Sequence, residues 1–148
     1  MIPPQGEGGW TSYHNGGQVW TVTSDGSNQH SLGSDGTYDF DLAWAPDGSA
    51  LVLARQENIA QVYDPATELI SSLWIIDART GEEHALLASD QKYAHWSPEW
   101  LPDGSGVVFL SNRGGGANAW FVRADGTGLQ QLTYQGGLVG VAVAPGQK

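Results

Sequence analysis

Trp100-Leu101-Pro102-Asp103-Gly104-Ser105-Gly106-Val107-Val108-Phe109-Leu110 is a tight turn running into an apolar strand, and relatives of it recur along the chain. Trp44-Ala45-Pro46-Asp47-Gly48 repeats the turn, and Val143-Ala144-Pro145-Gly146 is a copy that lacks the Trp and the Asp. Proline presets φ at the second turn position, while Asp and Gly suit the positions that follow. The recurrence decides more than any single turn, because a repeated unit buries its apolar faces by stacking on its neighbours.

Two further registers keep the same period. Gln18-Val19-Trp20-Thr21-Val22, Ser72-Leu73-Trp74-Ile75-Ile76 and Asn118-Ala119-Trp120-Phe121-Val122 are Trp-bearing strands, leading to turns at Asp25-Gly26, Thr80-Gly81 and Asp125-Gly126. Asp-Gly between apolar runs is a strong hairpin signal. After each hairpin comes a short strand: Gln29 to Leu32, Glu83 to Leu87 and Leu129 to Thr133. Successive prolines lie 56 and 43 residues apart, and successive tryptophans 54 and 46. One unit is therefore about fifty residues: strand A ending at the Pro-Asp-Gly turn, strand B (Ala50 to Ala54; Gly106 to Ser111), strand C with its Trp, and strand D. Such units predict an all-β chain, a β-propeller of four-stranded antiparallel blades with three blades per chain. The middle unit carries an insertion, Arg55 to Ser71, read as a longer hairpin arm in which Ile59 to Tyr63 extend strand B.

Composition agrees. Twenty-one Gly, seven Pro and few charged residues fit short strands and tight turns in a single domain over 1–148. A formal charge of −10 with only six Lys and Arg argues against nucleic-acid partners and anionic membranes. No cysteine is present, which excludes disulfides and thiolate metal sites. No apolar run approaches membrane-spanning length, and the first residues lack the basic and apolar regions of a leader.

The run Trp-x-Pro-Asp-Gly-Ser, the apolar strand with Ser111-Asn112-Arg113-Gly114-Gly115, then Ala119-Trp120-Phe121-Val122, Asp125-Gly126 and Leu132-Thr133 resembles the blade repeat of TolB-type propellers. That resemblance implies the propeller fold and an exported, cell-envelope setting, periplasmic or extracellular. It is weak for function, since such blades occur in TolB, in exported scaffolds, in oligogalacturonate lyases and beside the catalytic domain of prolyl-oligopeptidase-type enzymes.

The chain ends read as complementary parts of one blade. Aligning Trp20 with Trp120 sets Gly6 opposite Gly106 and Trp10-Thr11-Ser12 opposite Leu110-Ser111-Asn112, which gives strands B, C and D. Aligning Pro145 with Pro102 makes Leu138 to Val143 a strand A. The blade pieces are 1–36 completed by 137–148, then 37–90, then 91–136. Three blades do not close a ring. Either two chains close a six-bladed ring, each strand A completing the other's terminal blade, or the chain is a fragment of a longer TolB-like propeller.

In this architecture the B to C and D to A loops share one face. It receives Tyr13, His14, Tyr38, Phe40, Arg55, Tyr63, Lys92, Tyr93, His95, Trp96, Arg113 and Tyr134, the aromatic and hydrogen-bonding types of a recognition surface. Trp96 and Phe40 also suit plugging between blades. The turn aspartates are read as structural, each bonding its own backbone, and Trp20, Trp74 and Trp120 as packing. His14, His30, His84 and His95 show no metal-ligand spacing, and no nucleophile elbow or phosphate loop occurs. No cofactor is expected. The chain is expected to be a non-catalytic scaffold or binding module for a protein or peptide, with itself as one partner. A carbohydrate-binding or polysaccharide-lyase-like propeller is the alternative.

Overall fold

The computed structural model describes residues 8–11, 19–34, 36–57, 68–88, 90 and 92–145. Among these residues eleven strands fall into three antiparallel sheets that follow one another along the chain. The first holds β1 (Gly8–Thr11), β2 (Val19–Val22) and β3 (His30–Leu32). The second holds β4 (Asp39–Trp44), β5 (Ala50–Gln56), β6 (Ser71–Asp77) and β7 (Glu83–Leu87). The third holds β8 (His95–Trp100), β9 (Gly106–Ser111), β10 (Asn118–Arg123) and β11 (Gln130–Gln131). The second and third sheets are complete blades, with the expected A, B, C and D strands in order.

Local chemistry places the turns where the repeat puts them. Asp47 Oδ1 accepts from the Ser49 N–H at 3.0 Å, Asp103 Oδ1 from Ser105 at 2.9 Å, and Asp125 Oδ1 from Thr127 at 2.9 Å. Gly48, Gly104 and Gly126 follow in the left-handed region, at φ 74°, 74° and 85°, where a Cβ is unfavourable. The hydroxyls of Ser49, Ser105 and Thr127, followed by these N–H bonds, hold the carboxyls of Asp47, Asp103 and Asp125 below the usual range, and the Ser27 and Thr23 hydroxyls hold that of Asp25 at about 2.

The blades stack through their faces. Val52, Ala54, Leu73, Ile75 and Leu86 of the second sheet meet Val107, Phe109 and Val122 of the third, with Trp100 and Trp120 packed on the cluster. The opposite face of the second sheet, through Leu51, Leu53 and Ile76, meets Val19 and Leu32 of the first. That explains the unbroken apolar run Leu51 to Ala54 on β5, a strand covered on both sides.

Two expectations shift. Trp10 lies opposite Trp20 as Phe109 lies opposite Trp120, so β1 runs one residue out from the alignment expected of it. The connection from strand B to strand C is one residue shorter in the first blade, and the pairing follows the ladder, not the loop. Leu138 to Val143, expected as a strand A, joins no ladder among the described residues. Among the described residues the β1 edge that such a strand would pair with also has no partner in the three-stranded sheet. The base of the hairpin arm continues beyond β5, where the Glu57 N–H donates to the Ile70 carbonyl at 2.8 Å. Ile59 to Tyr63, expected to extend strand B, lie outside the described residues.

Candidate functional site

Strands A of the two complete blades break at the same place. The pairing of β4 with β5 shifts between Phe40 and Ala43, and that of β8 with β9 between Trp96 and Glu99. Asp41 and Ser97, at equivalent positions of these bulges, adopt φ 52° and 51°. A bulge re-aims the side chains beside it. Here the blades are also tied through it, since the Ser97 N–H donates to Asp41 Oδ2 at 2.9 Å.

Beside the two bulges lies a cleft of about 420 Å³ lined by Phe40, Asp41, Glu68, Leu69, Ala94, Trp96 and Asn112. Phe40 and Trp96 hold the same place in successive repeats, so one aromatic comes from each blade. Asn112 braces the far side by accepting the Ala94 N–H at 2.9 Å. Asp41 and Glu68 add carboxylates to a wall that is otherwise largely apolar. A concave apolar site with a few polar groups is the usual form of a ligand pocket, and an aromatic wall with carboxylates suits a cationic group.

Next to it a second cluster forms on the connection into the third blade. The guanidinium of Arg113 lies 5.3 Å from the Tyr93 ring centroid and pairs with Asp90 at 3.1 Å, while the Lys92 ammonium lies 5.3 Å from the same ring. Arg113, Lys92 and Asp90 are exposed and Tyr93 half-buried. Tyr134 stands apart, 76 % exposed, with its hydroxyl donating to the Gln131 carbonyl at 3.2 Å. Tyr38 is half-buried, and its carbonyl accepts the Gln56 N–H at 2.9 Å.

Arg55 and His95, expected on the recognition surface, are buried instead. Arg55, 7 % exposed, donates through Nε to Asp39 Oδ1 at 2.7 Å and through Nη1 to Glu83 Oε1 at 2.9 Å, with its guanidinium 4.5 Å over Trp74. Burial opposes its charge, but the bonds from Asp39 and Glu83 outweigh that and raise its pKa. His95 is 1 % exposed, with Nδ1 2.9 Å from the Ser111 hydroxyl and its ring edge-on to Phe109. Burial pushes its pKa down to about 4. The reason for both placements is the strand pleat: Asp39 pairs with Arg55 and His95 with Ser111 at one equivalent A-to-B position, where side chains face inward. Tyr13, His14 and Tyr63 lie outside the described residues.

Of the expected face, the structure thus brings Phe40 and Trp96 into one cleft and Lys92, Tyr93 and Arg113 into one cluster beside Ala94. Asp41, Glu68, Leu69 and Asn112 were not among the expected residues. A comparison of Phe40 with Trp96 across the repeat is the signal that finds this junction. Among the described residues no three His, Asp or Glu side chains stand together as a metal site would need.

No protein-family model matches the sequence, and no curated protein does. Solved structures do. A TolB-type protein from Agrobacterium tumefaciens is similar at TM-score 0.66 and 21% identity, over 86% of this chain and 41% of that one. A puromycin hydrolase gives TM-score 0.61 at 18% identity, over 91% of this chain and 25% of that one. An oligogalacturonate lyase in complex with manganese gives 0.56 at 20% identity, over 80% and 29%. The chain therefore has the TolB-type β-propeller fold, and it spans less than half the length of each of these structures.

Proposed function

We propose that this chain is a non-catalytic propeller binding module that takes a protein or peptide segment at its loop-rich face, working as half of a six-bladed ring of two copies. The observation that carries the binding is the cleft between the second and third blades, with Phe40 and Trp96 as walls and Asp41 and Glu68 as carboxylates. Its chemistry favours a basic side chain, flat or aliphatic along its stem and positive at its tip, so an Arg or Lys of an extended segment fits it. The charge of −10 would draw such segments in.

The test is a calorimetric titration with an arginine-containing peptide and a matched glutamate-containing one. Binding of the first alone, weakened tenfold or more by Trp96→Ala and several-fold by Glu68→Gln, is expected. Binding of sugars in place of peptides, or metal-dependent cleavage of acidic polysaccharide, would overturn the reading in favour of a carbohydrate-active propeller.

A further inference from the structure

The junction of the second and third blades shows what a complete junction contains. There the indole N–H of Trp100 donates to the backbone carbonyl of Ala43 at 3.2 Å, in strand A of the preceding blade. Trp44 holds in the second blade the place that Trp100 holds in the third, two residues before the proline of the turn. Its indole has no acceptor among the described residues, and it is 38 % exposed. By the same geometry its acceptor would be a carbonyl of a strand A in the first blade, and among the described residues that sheet holds β1, β2 and β3. Meanwhile residues 138–143 carry the sequence of a strand A and, beyond the Leu138 N–H donating to the Ala117 carbonyl at 3.1 Å, join no ladder among the described residues, leaving Val139 95 % exposed.

We propose that residues 138–143 of one copy add antiparallel to the open edge of β1 in a second copy, and that the Ala142 carbonyl accepts the Trp44 indole N–H of that copy. This deepens, and rests on, the two-chain ring proposed above. Three blades cannot close on themselves, so the strand without a sheet cannot reach its own chain's open sheet within a three-bladed ring. Two copies related by a two-fold axis satisfy both edges at once and leave none exposed.

The register follows from ladders already formed. In the second blade Trp44 pairs with Leu51, Ala43 with Val52 and Phe40 with Ala54; in the third Trp100 pairs with Val107, Glu99 with Val108 and Trp96 with Leu110. The ladder of β1 with β2 puts Gly8, Gly9 and Thr11 in the places of Val107, Val108 and Leu110. Pro145 in the place of Pro102 puts Val143, Ala142 and Val139 in those of Trp100, Glu99 and Trp96. The pairs across the two copies are therefore Val143 with Gly8, Ala142 with Gly9 and Val139 with Thr11.

Asp41 and Ser97 take positive φ at the bulge of each complete strand A, and Gly140 falls at that place in the third copy; its own φ lies outside that region in the unpaired segment, so pairing on β1 would carry it there. Glycine enters that region without steric cost. Nothing in the proline alignment required a glycine at that point.

The chain has no cysteine, so a single engineered pair reports on the contact. Thr11→Cys with Val139→Cys, mildly oxidised, is expected to run as a covalent dimer of twice 15.7 kDa on a non-reducing gel. Trp10→Cys with Val139→Cys, one residue out, places the thiols on opposite faces and is expected to stay uncrosslinked. A disulfide closed within one chain, or preference for the Trp10 pair, would overturn the register. Mass measured before oxidation separates the two layers: a dimer without the 11 to 139 bond overturns the register and leaves the ring standing, while a monomer overturns both. Trp44→Phe, which keeps the ring and drops the N–H, is expected to raise the dimer dissociation constant about fivefold. No change in that constant would overturn the indole contact.

Discussion

Replacing Arg55 by Met should unfasten the second blade, and the size of the effect follows from its surroundings. Arg55 holds a carboxylate on each side: Asp39, 2 % exposed, through bonds of 2.7 and 3.0 Å, and Glu83, 16 % exposed, through bonds of 2.9 and 3.1 Å. Removing one member of a buried pair costs roughly 3–5 kcal/mol, because the other charge stays buried without its partner. Loss of the stack on Trp74 adds up to about 1 kcal/mol. Glu83 relieves part of this, since it reaches water and keeps the Ser34 hydroxyl at 2.8 Å. A net loss of about 3–4 kcal/mol is expected, close to a 10 °C fall in Tm for a domain of this size. Urea denaturation at pH 7 measures it. Burial already holds the Asp39 carboxyl above its usual range despite the Arg55 bonds, and losing those bonds raises it further, so the deficit should narrow as pH falls and the unpaired carboxylate is neutralised. Asp39→Leu together with Arg55→Met should recover at least half of the loss. A deficit below about 1 kcal/mol, or a double variant as poor as the sum of the singles, would refute the buried role and return Arg55 to the surface.

Two other perturbations follow from the same packing. His95 stays neutral in the fold with its pKa near 4, while the unfolded chain titrates near its ordinary value of 6.5. The unfolded state therefore binds more protons between those values, and stability should fall by up to about 3 kcal/mol as pH drops from 6.5 to 4. His95→Gln should flatten that slope in denaturation curves taken across the range, and an unchanged slope would place its cause elsewhere. Trp74→Phe should cost about 1–2 kcal/mol, for it removes the bond from Nε1 to the Ser72 hydroxyl and weakens the Arg55 stack. Trp120→Phe at the equivalent site should cost less than half as much by the same assay, because the buried Nε1 of Trp120 has no partner to lose.

The blades are legible in the sequence because their signals are local. Pro-Asp-Gly turns and Trp-bearing strands need only a few neighbouring residues to take shape, so Trp44, Trp100, Trp74 and Trp120 mark their strands without reference to the rest of the chain. Register at β1 is less legible. Loop length between strands B and C varies by one residue, and an alignment carried through Trp20 passes that difference on to Trp10. Arg55 and His95 mislead for another reason. Both sit beside loops in the sequence, yet the side chain of a strand-end residue points in or out according to the pleat. Asp39 and Glu83, which make Arg55 a buried group, lie 16 and 28 residues from it. Comparing Asp39 and Arg55 with their counterparts His95 and Ser111 exposes the shared buried position, and the comparison of Phe40 with Trp96 finds the cleft. Glu68 and Leu69 come from the insertion of the middle blade, which has no counterpart to compare.

Among the described residues the first sheet has no strand A and residues 138–143 have no sheet, and in the proposed ring the two meet between copies. Sedimentation velocity on the unmodified chain tests it most directly. A single boundary at twice 15.7 kDa, with the compact shape of a closed ring, is the result expected. A single boundary at 15.7 kDa that persists as concentration is raised would contradict it.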